Sequence, residues 1–227
     1  TFSQEEHYAL KQVAVEQGLS QSTIHCLHRD HLGRLWLGTK NGLNCYDGVQ
    51  MKTFFHNPNE AGSLPDNYIY FITQDRNKTI WIGTGKGLVR YNEERDVFIR
   101  ITPHDDAAPI LYTNFYHKGD SLLFGTVDHL CIYEPSQNKI SKVFFKGNES
   151  VSNEFVIQEW NNRILLASRW SKLFFLDIET GELTPVPFFD ETQILTLTKD
   201  HQNNLWISVF KKGLFVIAPS GELTARF

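Results

Sequence analysis

The stretch at residues 33–48, GRLWLGTKNGLNCYDG, decides the fold, and it admits two readings. In one, the Gly38-Thr39 and Gly42 backbone cradles a phosphate. In the other, the whole stretch is one unit of a repeating structure. A phosphate cradle opens a helix, whereas here LNCY follows, a run with strand character. The rest of the chain completes the decision, because LWLGTKNGLNCYD (35–47) returns as IWIGTGKGLVRYN (80–92). Looser copies follow as LLFGTVDHLCIYE (122–134), ILLASRWSKLFFLD (164–177) and LWISVFKKGLFVIA (205–218). The second position of each copy is Trp36, Trp81, Leu123, Leu165 or Trp206, at intervals of 45, 42, 42 and 41 residues. Six residues before each stands Asp30, Asp75, His117, Glu159 or Asp200.

Around each copy, short apolar runs alternate with turns rich in Gly, Asn, Asp and Pro, so each unit reads as four strands. Four strands per unit of about 40–45 residues is the sequence pattern of a β-propeller. LWLG and IWIG are apolar on both faces of the strand, and stacking one sheet on the next covers both faces. The expected blades cover about 19–56, 64–102, 110–146, 151–189 and 191–227, with 7–17 as a lone outer strand. The final ELTARF already reads as the fourth strand of the fifth unit. The lone strand then lacks a vacancy among these five, so the chain is expected to be part of a larger, seven-bladed propeller.

Composition narrows the function classes. With 227 residues and 41% hydrophobic content the chain is long enough for a sizeable core. A net charge of −4 and no basic tract argue against a nucleic-acid partner. Cys26, Cys45 and Cys131 lie in apolar runs without a C-x-x-C pair, and read as small buried hydrophobes. No run approaches the ~18 apolar residues of a membrane span. No metal or cofactor motif is legible, and none is expected.

The repeat D-x-x-x-x-x-W-[I/L]-G-T-x-x-G-L-x-x-Y resembles that of the two-component regulator propeller family. EQGLSQSTIHCLHRD (16–30) and NPNEAGSLPDNYIYFITQD (57–75) resemble its lead-in segments. The likeness is specific in units one and two and good in unit five. Units three and four depart, with Leu123 and Leu165 in place of Trp. The resemblance implies the periplasmic sensor region of a Bacteroides-type hybrid two-component histidine kinase. It also implies a glycan-derived oligosaccharide as ligand, homodimerisation through the full-length receptor, and contact with the membrane only through segments outside these residues. No phosphoacceptor helix, ATP-binding glycine motif or receiver aspartate pocket can be read, so this chain is expected to be a sensor without catalysis of its own.

In a meandering blade, the lead-in loop and the turn between strands two and three share one face. That face is expected to carry Asp128, His129, Arg169, Trp170, Phe210 and Lys211, where the turns abandon the repeat chemistry. Arg169 beside Trp170 suits stacking on a sugar ring and gripping an anionic group. Asp30, Asp75 and Asp200, on the opposite face, read as turn formers. Trp160 reads as packing, and His117 and His129 as surface or satisfied histidines before ligand contacts. A second reading is a propeller glycoside hydrolase, with Asp66, Glu154 and Glu191 near the starts of inner strands as its carboxylates. A third is a protein-interaction scaffold.

Overall fold

The computed structural model describes residues 12–101, 115–125, 129–146, 155–168, 172–187, 189 and 193–227. They form five antiparallel four-stranded sheets set around a common axis as a β-propeller. Blade 1 holds β1 (Ile24–Arg29), β2 (Leu35–Thr39), β3 (Gly42–Tyr46) and β4 (Met51–Phe54). Blade 2 holds β5 (Ile69–Gln74), β6 (Ile80–Thr84), β7 (Gly87–Asn92) and β8 (Val97–Arg100). Blade 3 has β9 (Phe115–Lys118), β10 (Ser121–Gly125), β11 (His129–Glu134) and β12 (Lys139–Phe144). Blade 4 has β13 (Phe155–Trp160), β14 (Arg163–Ser168), β15 (Leu173–Leu176) and β16 (Leu183–Pro185). Blade 5 has β17 (Ile194–Lys199), β18 (Leu205–Val209), β19 (Gly213–Ile217) and β20 (Leu223–Arg226). Each sheet runs in sequence order, and the first strands of neighbouring blades adjoin. Those first strands are therefore innermost.

The strands fall where alternation and turn chemistry place them, with two differences. The lone strand expected over 7–17 is not found in its described part. There Val15–Gln17 form one turn of 3-10 helix, closed by the Gln17 side chain on the Ala14 amide (2.9 Å) and by Gly18 at φ +96°. Residues 7–11 lie outside the described residues. In blade 4 the fourth strand stops at Pro185, because Pro185 and Pro187 have no N–H to donate to the ladder.

The core lies between blades, not within them. One cluster joins Trp36 and Leu43 of blade 1 to Ile69, Ile72 and Val89 of blade 2. Others join Trp81 to Phe124 and Tyr133, Leu123 to Ile157 and Phe174, and Leu165 to Ile194 and Ile207. Trp36 meets Tyr91 of the next blade edge-on at 5.1 Å, and Trp81 meets Tyr133 in the same way at 5.3 Å. Such pairs add about 0.5–1.5 kcal/mol beyond the area they bury.

The fixed spacing from aspartate to tryptophan has a direct physical cause. Asp30, Asp75 and Asp200 each accept the indole N–H of the tryptophan six residues on, at 2.8–2.9 Å. Each also closes its turn by accepting backbone amides, such as Leu32 and Arg34 on Asp30. The turn-forming role is thus joined to a second one, anchoring the buried indole. In blades 3 and 4 both partners change together. There β9–β10 and β13–β14 are joined by two-residue turns, the second through Asn161 and Asn162 at φ +51° and +59°. The Trp206 and Asn204 hydrogen bonds hold Asp200 at about pKa 2, below the ordinary carboxylate range. At Asp30 burial pushes the other way, but hydrogen bonds from Trp36 and Arg34 outweigh it and the net shift is downward.

A carboxylate with a depressed folded pKa stabilises the fold above its unfolded pKa of about 3.9 and loses that contribution as pH falls through the folded value. The melting temperature is therefore expected to hold above about pH 4 and to fall from there toward pH 2. Asp200→Asn should remove part of that fall. A thermal melt series from pH 6 to pH 2 checks this, and a flat profile in the wild-type chain would contradict it.

The opening stretch has a structural explanation throughout. Thr39, fully buried, donates to the Gly42 carbonyl (2.9 Å) and accepts the Asn41 amide (3.0 Å); Thr84 repeats both bonds. Gly42 at φ +112° makes the turn, and no helix follows. The motif locks a hairpin. The cysteines are free thiols, with Cys45 and Cys131 buried. Burial pushes the Cys26 thiol up to about 12 and the Cys45 thiol to about 11.

Equivalent positions are not equally covered. Ile69 and Ile72 on the inner strand of blade 2 are 0% and 4% exposed, and Ile194 and Leu197 of blade 5 are 0% and 5%. Their counterparts in blade 1, Ile24 and Leu27, are 41% and 66% exposed. At the other end, Trp206 is half-buried and stacks only on the Phe227 ring of its own blade, among the ring contacts described.

Candidate functional site

The β2–β3-type turns and the lead-in loops share one face, as the meander requires. The Gly42 amide bonds the Asn67 carbonyl (2.7 Å), and the Gly85 amide bonds the Tyr68 carbonyl (3.1 Å). These two bonds seat the lead-in of blade 2 beside the turns of blades 1 and 2. Asp66 accepts the Tyr68 amide (2.8 Å) and lies so near Gly85 that a Cβ there would come within 3.2 Å of its carboxylate. The lead-in is fixed before it enters β5.

Just inside β5 the ladder carries a bulge between Ile69 and Phe71, which leaves Tyr70 as the extra residue. Bulges of this kind re-aim a side chain. The same irregularity falls at His25 in blade 1 and at Leu195 in blade 5. Tyr70 lies parallel to Tyr68 with ring centroids 4.1 Å apart, and the His25 ring is 5.4 Å from Tyr68. The Lys40 ammonium stands 5.8 Å from the Tyr68 ring centre. The result is a half-exposed aromatic platform with an exposed imidazole and an exposed cation at its margin. An arrangement of that kind binds a flat, hydroxylated ring by stacking and satisfies its hydroxyls at the edge.

Among the residues expected to bind ligand, Phe210 and Lys211 lie in the exposed β18–β19 turn, the Lys211 ammonium 5.2 Å from the Phe210 ring centre. His129 begins β11, buried at 6% exposure with its ring 5.0 Å from Phe144. Asp128, Arg169 and Trp170 lie outside the described residues, as do Glu154 and Glu191 of the hydrolase reading. Asp66 is described, and one of its carboxylate oxygens, Oδ1, accepts the Tyr68 amide of the lead-in turn. His117 is half-buried and bonded to Thr73 (3.3 Å). Trp160 is buried and donates to the Asn203 carbonyl of blade 5 (2.8 Å), the packing role expected of it. The tyrosine platform was not foreseen. The two tyrosines of YIY are visible in the sequence, but Tyr68 precedes β5 and Tyr70 is its bulged residue, so strand alternation does not by itself bring them together. Among the described residues no group of three or more His, Cys, Asp or Glu side chains is placed to hold a metal ion.

The fold and this face together define a β-propeller that presents an aromatic platform beside its inner strands. Residues 18–41 and 63–86 match the model of the two-component regulator propeller family. Histidine kinase P4 of Formosa agariphila is 36% identical over 62 residues, which is 27% of this chain and 4% of that protein. The chain thus spans a small part of the curated relative it matches. The fold is similar to the extracellular domain of a B. thetaiotaomicron protein described as a hybrid two-component system. That likeness has a TM-score of 0.76 and 22% identity, over 94% of this chain and 31% of the other. It is also similar to virginiamycin B lyase of Staphylococcus aureus, with a TM-score of 0.66 and 14% identity, over 87% of this chain and 67% of that one. The same architecture therefore occurs in the extracellular domain of a two-component system and in a lyase, and the fold does not choose between them.

Proposed function

We propose that this chain is the ligand-sensing propeller of a two-component receptor, exposed outside the cytoplasm, and that it binds a glycan-derived oligosaccharide on the lead-in face. The Tyr68–Tyr70 platform carries the reading of the face, because two stacked phenols flanked by His25 and Lys40 offer a sugar ring both a stacking surface and edge donors. The family of the matched repeats and the extracellular origin of the similar structure support the receptor role. Phe210 and Lys211 extend the proposed contact surface toward blade 5, and Arg169 and Trp170 are proposed as contacts from the sequence alone. The kinase, the membrane anchor and any dimer contact belong to other segments of the receptor. Further blades of the same kind would cover Ile24, Leu27 and Trp206, whose described counterparts, such as Ile69, Ile72, Ile194, Leu197, Trp36 and Trp81, are buried.

The hydrolase reading asks Asp66 to act on substrate, yet its Oδ1 already accepts the Tyr68 amide in the lead-in turn. Calorimetric titration with a panel of oligosaccharides tests the site. Tyr68→Ala is expected to weaken the best ligand by about tenfold, since full burial of a large side chain's apolar surface contributes on the order of 1.5–3 kcal/mol. Unchanged affinity in that variant would remove the platform from the site.

A further inference from the structure

At the interface of blades 1 and 2, Trp36, Phe54 and Tyr91 pack ring on ring between the sheets, with Phe98 beside the last two. Trp36 stacks on Phe54 at 6.0 Å and meets Tyr91 at 5.1 Å, and Phe54 meets Tyr91 at 5.7 Å. Strand register identifies the matching positions between blades 4 and 5. Trp36 pairs with Cys45 as Leu165 pairs with Phe175, so Leu165 replaces Trp36. Leu43 pairs with Phe54, while the Leu173 carbonyl accepts the Val186 amide, so Val186 replaces Phe54. Ile217 opposite Leu205 replaces Tyr91. Three rings become three aliphatic side chains. The same reduction occurs between blades 3 and 4, at Leu123, Val143 and Leu176, but there Tyr116 is paired with Leu123 and packs into the cluster. The residue paired with Leu165 is Gln158, which brings no ring.

Phe175, at the position of Cys45, and Trp160, Phe189 and Phe215 refill part of the volume lost, but not all of it. A slot of about 300 Å³ opens between blades 4 and 5 on the face opposite the tyrosine platform, with Trp160, Phe175, Val186, Ile217 and Pro219 among its walls. Its rim is fixed. The Asn161 side chain donates to the Pro219 carbonyl and accepts from Asn203, both at 2.8 Å, so its polar groups are engaged. The indole N–H of Trp160 is already given to the Asn203 carbonyl. Arg163 also lines the slot, its guanidinium lying flat on the Phe175 ring at 3.4 Å from the centroid. Among the described residues the Arg163 guanidinium makes no ion pair or hydrogen bond. Stacking fixes the plane of the guanidinium and leaves its N–H edge available for a bidentate acceptor.

We infer that the slot between blades 4 and 5 is a second binding site, for a small organic carboxylate whose apolar body enters between Trp160 and Ile217 and whose carboxylate pairs with Arg163. The apolar walls reject a sugar, whose hydroxyls would go unpaired there. A neutral molecule of equal shape leaves the guanidinium unpaired, so charge at one end supplies the selectivity. This inference is independent of the oligosaccharide reading, since it concerns other residues on the other face.

The probe is 4-phenylbutyrate, with 4-phenylbutan-1-ol as its neutral match, titrated into the 227-residue chain and followed by ligand-detected NMR. The carboxylate is expected to bind with a dissociation constant on the order of 1 mM or tighter, the range for a ligand of this size. The alcohol is expected to bind about tenfold or more weakly, because a hydrogen bond to a charged group is worth about 1.5–3 kcal/mol. Arg163→Gln should remove the difference between the two probes while leaving the melting temperature near that of the wild type. Val186→Phe, which returns the ring found at Phe54, should abolish binding of both and keep the chain folded. Equal binding of acid and alcohol to the wild type, unchanged binding in Val186→Phe, or no binding of the acid at 10-fold the expected constant (about 10 mM) would each overturn the assignment.

Discussion

Replacing Trp36 by alanine is expected to destabilise the propeller by about 3–5 kcal/mol, the range for removing a fully buried large aromatic. Trp36 has no exposed surface, packs on Phe54 and Tyr91, and gives its indole N–H to Asp30. Its removal therefore opens a cavity at a blade interface and leaves a buried carboxylate one donor short. Arg34 would still hold Asp30 at 2.7 Å, which limits the second term. For a chain of this size the melting temperature should fall by roughly 6–20 °C. Trp206→Ala is the informative comparison. Trp206 makes the same bond to Asp200 but is half-buried and meets only Phe227 among the described ring contacts, so its loss should cost about 1–2 kcal/mol. Differential scanning calorimetry of the two variants measures both. Equal losses would contradict the claim that the next blade, and not the repeat residue alone, makes tryptophan stabilising.

Gly38→Ala is expected to cost about 1–3 kcal/mol through overpacking. A Cβ at position 38 would lie 2.5 Å from the Cys26 sulfur and 2.6 Å from Cγ2 of Ile69, whose side chain is fully buried. Neither neighbour can yield easily, because Ile69 belongs to the cluster that joins blades 1 and 2. Close approach, not backbone conformation, is the reason for glycine here. The effect should be smaller in a Cys26→Ala background, where one of the two obstacles is gone, and a double-mutant cycle by denaturant melts gives the coupling. Additive effects would place the strain elsewhere.

These two residues also show what could be read from the chain before its structure. The period of tryptophan and aspartate marked the blades, because each blade must cover two apolar faces and uses the same side chains to do so. The reason for the six-residue interval was not legible. It lies in a hydrogen bond across the β1–β2 turn, which only the folded hairpin brings together. Ile72 and Leu27 occupy the same repeat position and look alike in sequence, yet one is buried and the other exposed. Their difference comes from the neighbouring sheet, which local patterning does not encode. The segment at 12–17 alternates like a strand, but Gly18 and the Gln17 side chain close it into a turn first.

The candidate site was less legible than the fold. Turns that leave the repeat pattern drew attention to Arg169, Trp170 and Phe210, whereas Tyr68 and Tyr70 were absorbed into the apolar reading of an inner strand. What sets those tyrosines apart is a bulge, and a bulge depends on the register of two strands. The slot beside Arg163 was hidden for a related reason. Leu165, Val186 and Ile217 are ordinary core residues, and only their alignment with Trp36, Phe54 and Tyr91 shows that volume is missing.

The sensor reading is tested most directly by incubating the chain with oligosaccharides while recording both thermal shift and product chromatography. The account predicts that at least one oligosaccharide raises the melting temperature in a saturable way and is recovered intact. Cleavage of that oligosaccharide, or no shift with any member of a broad panel, would contradict it.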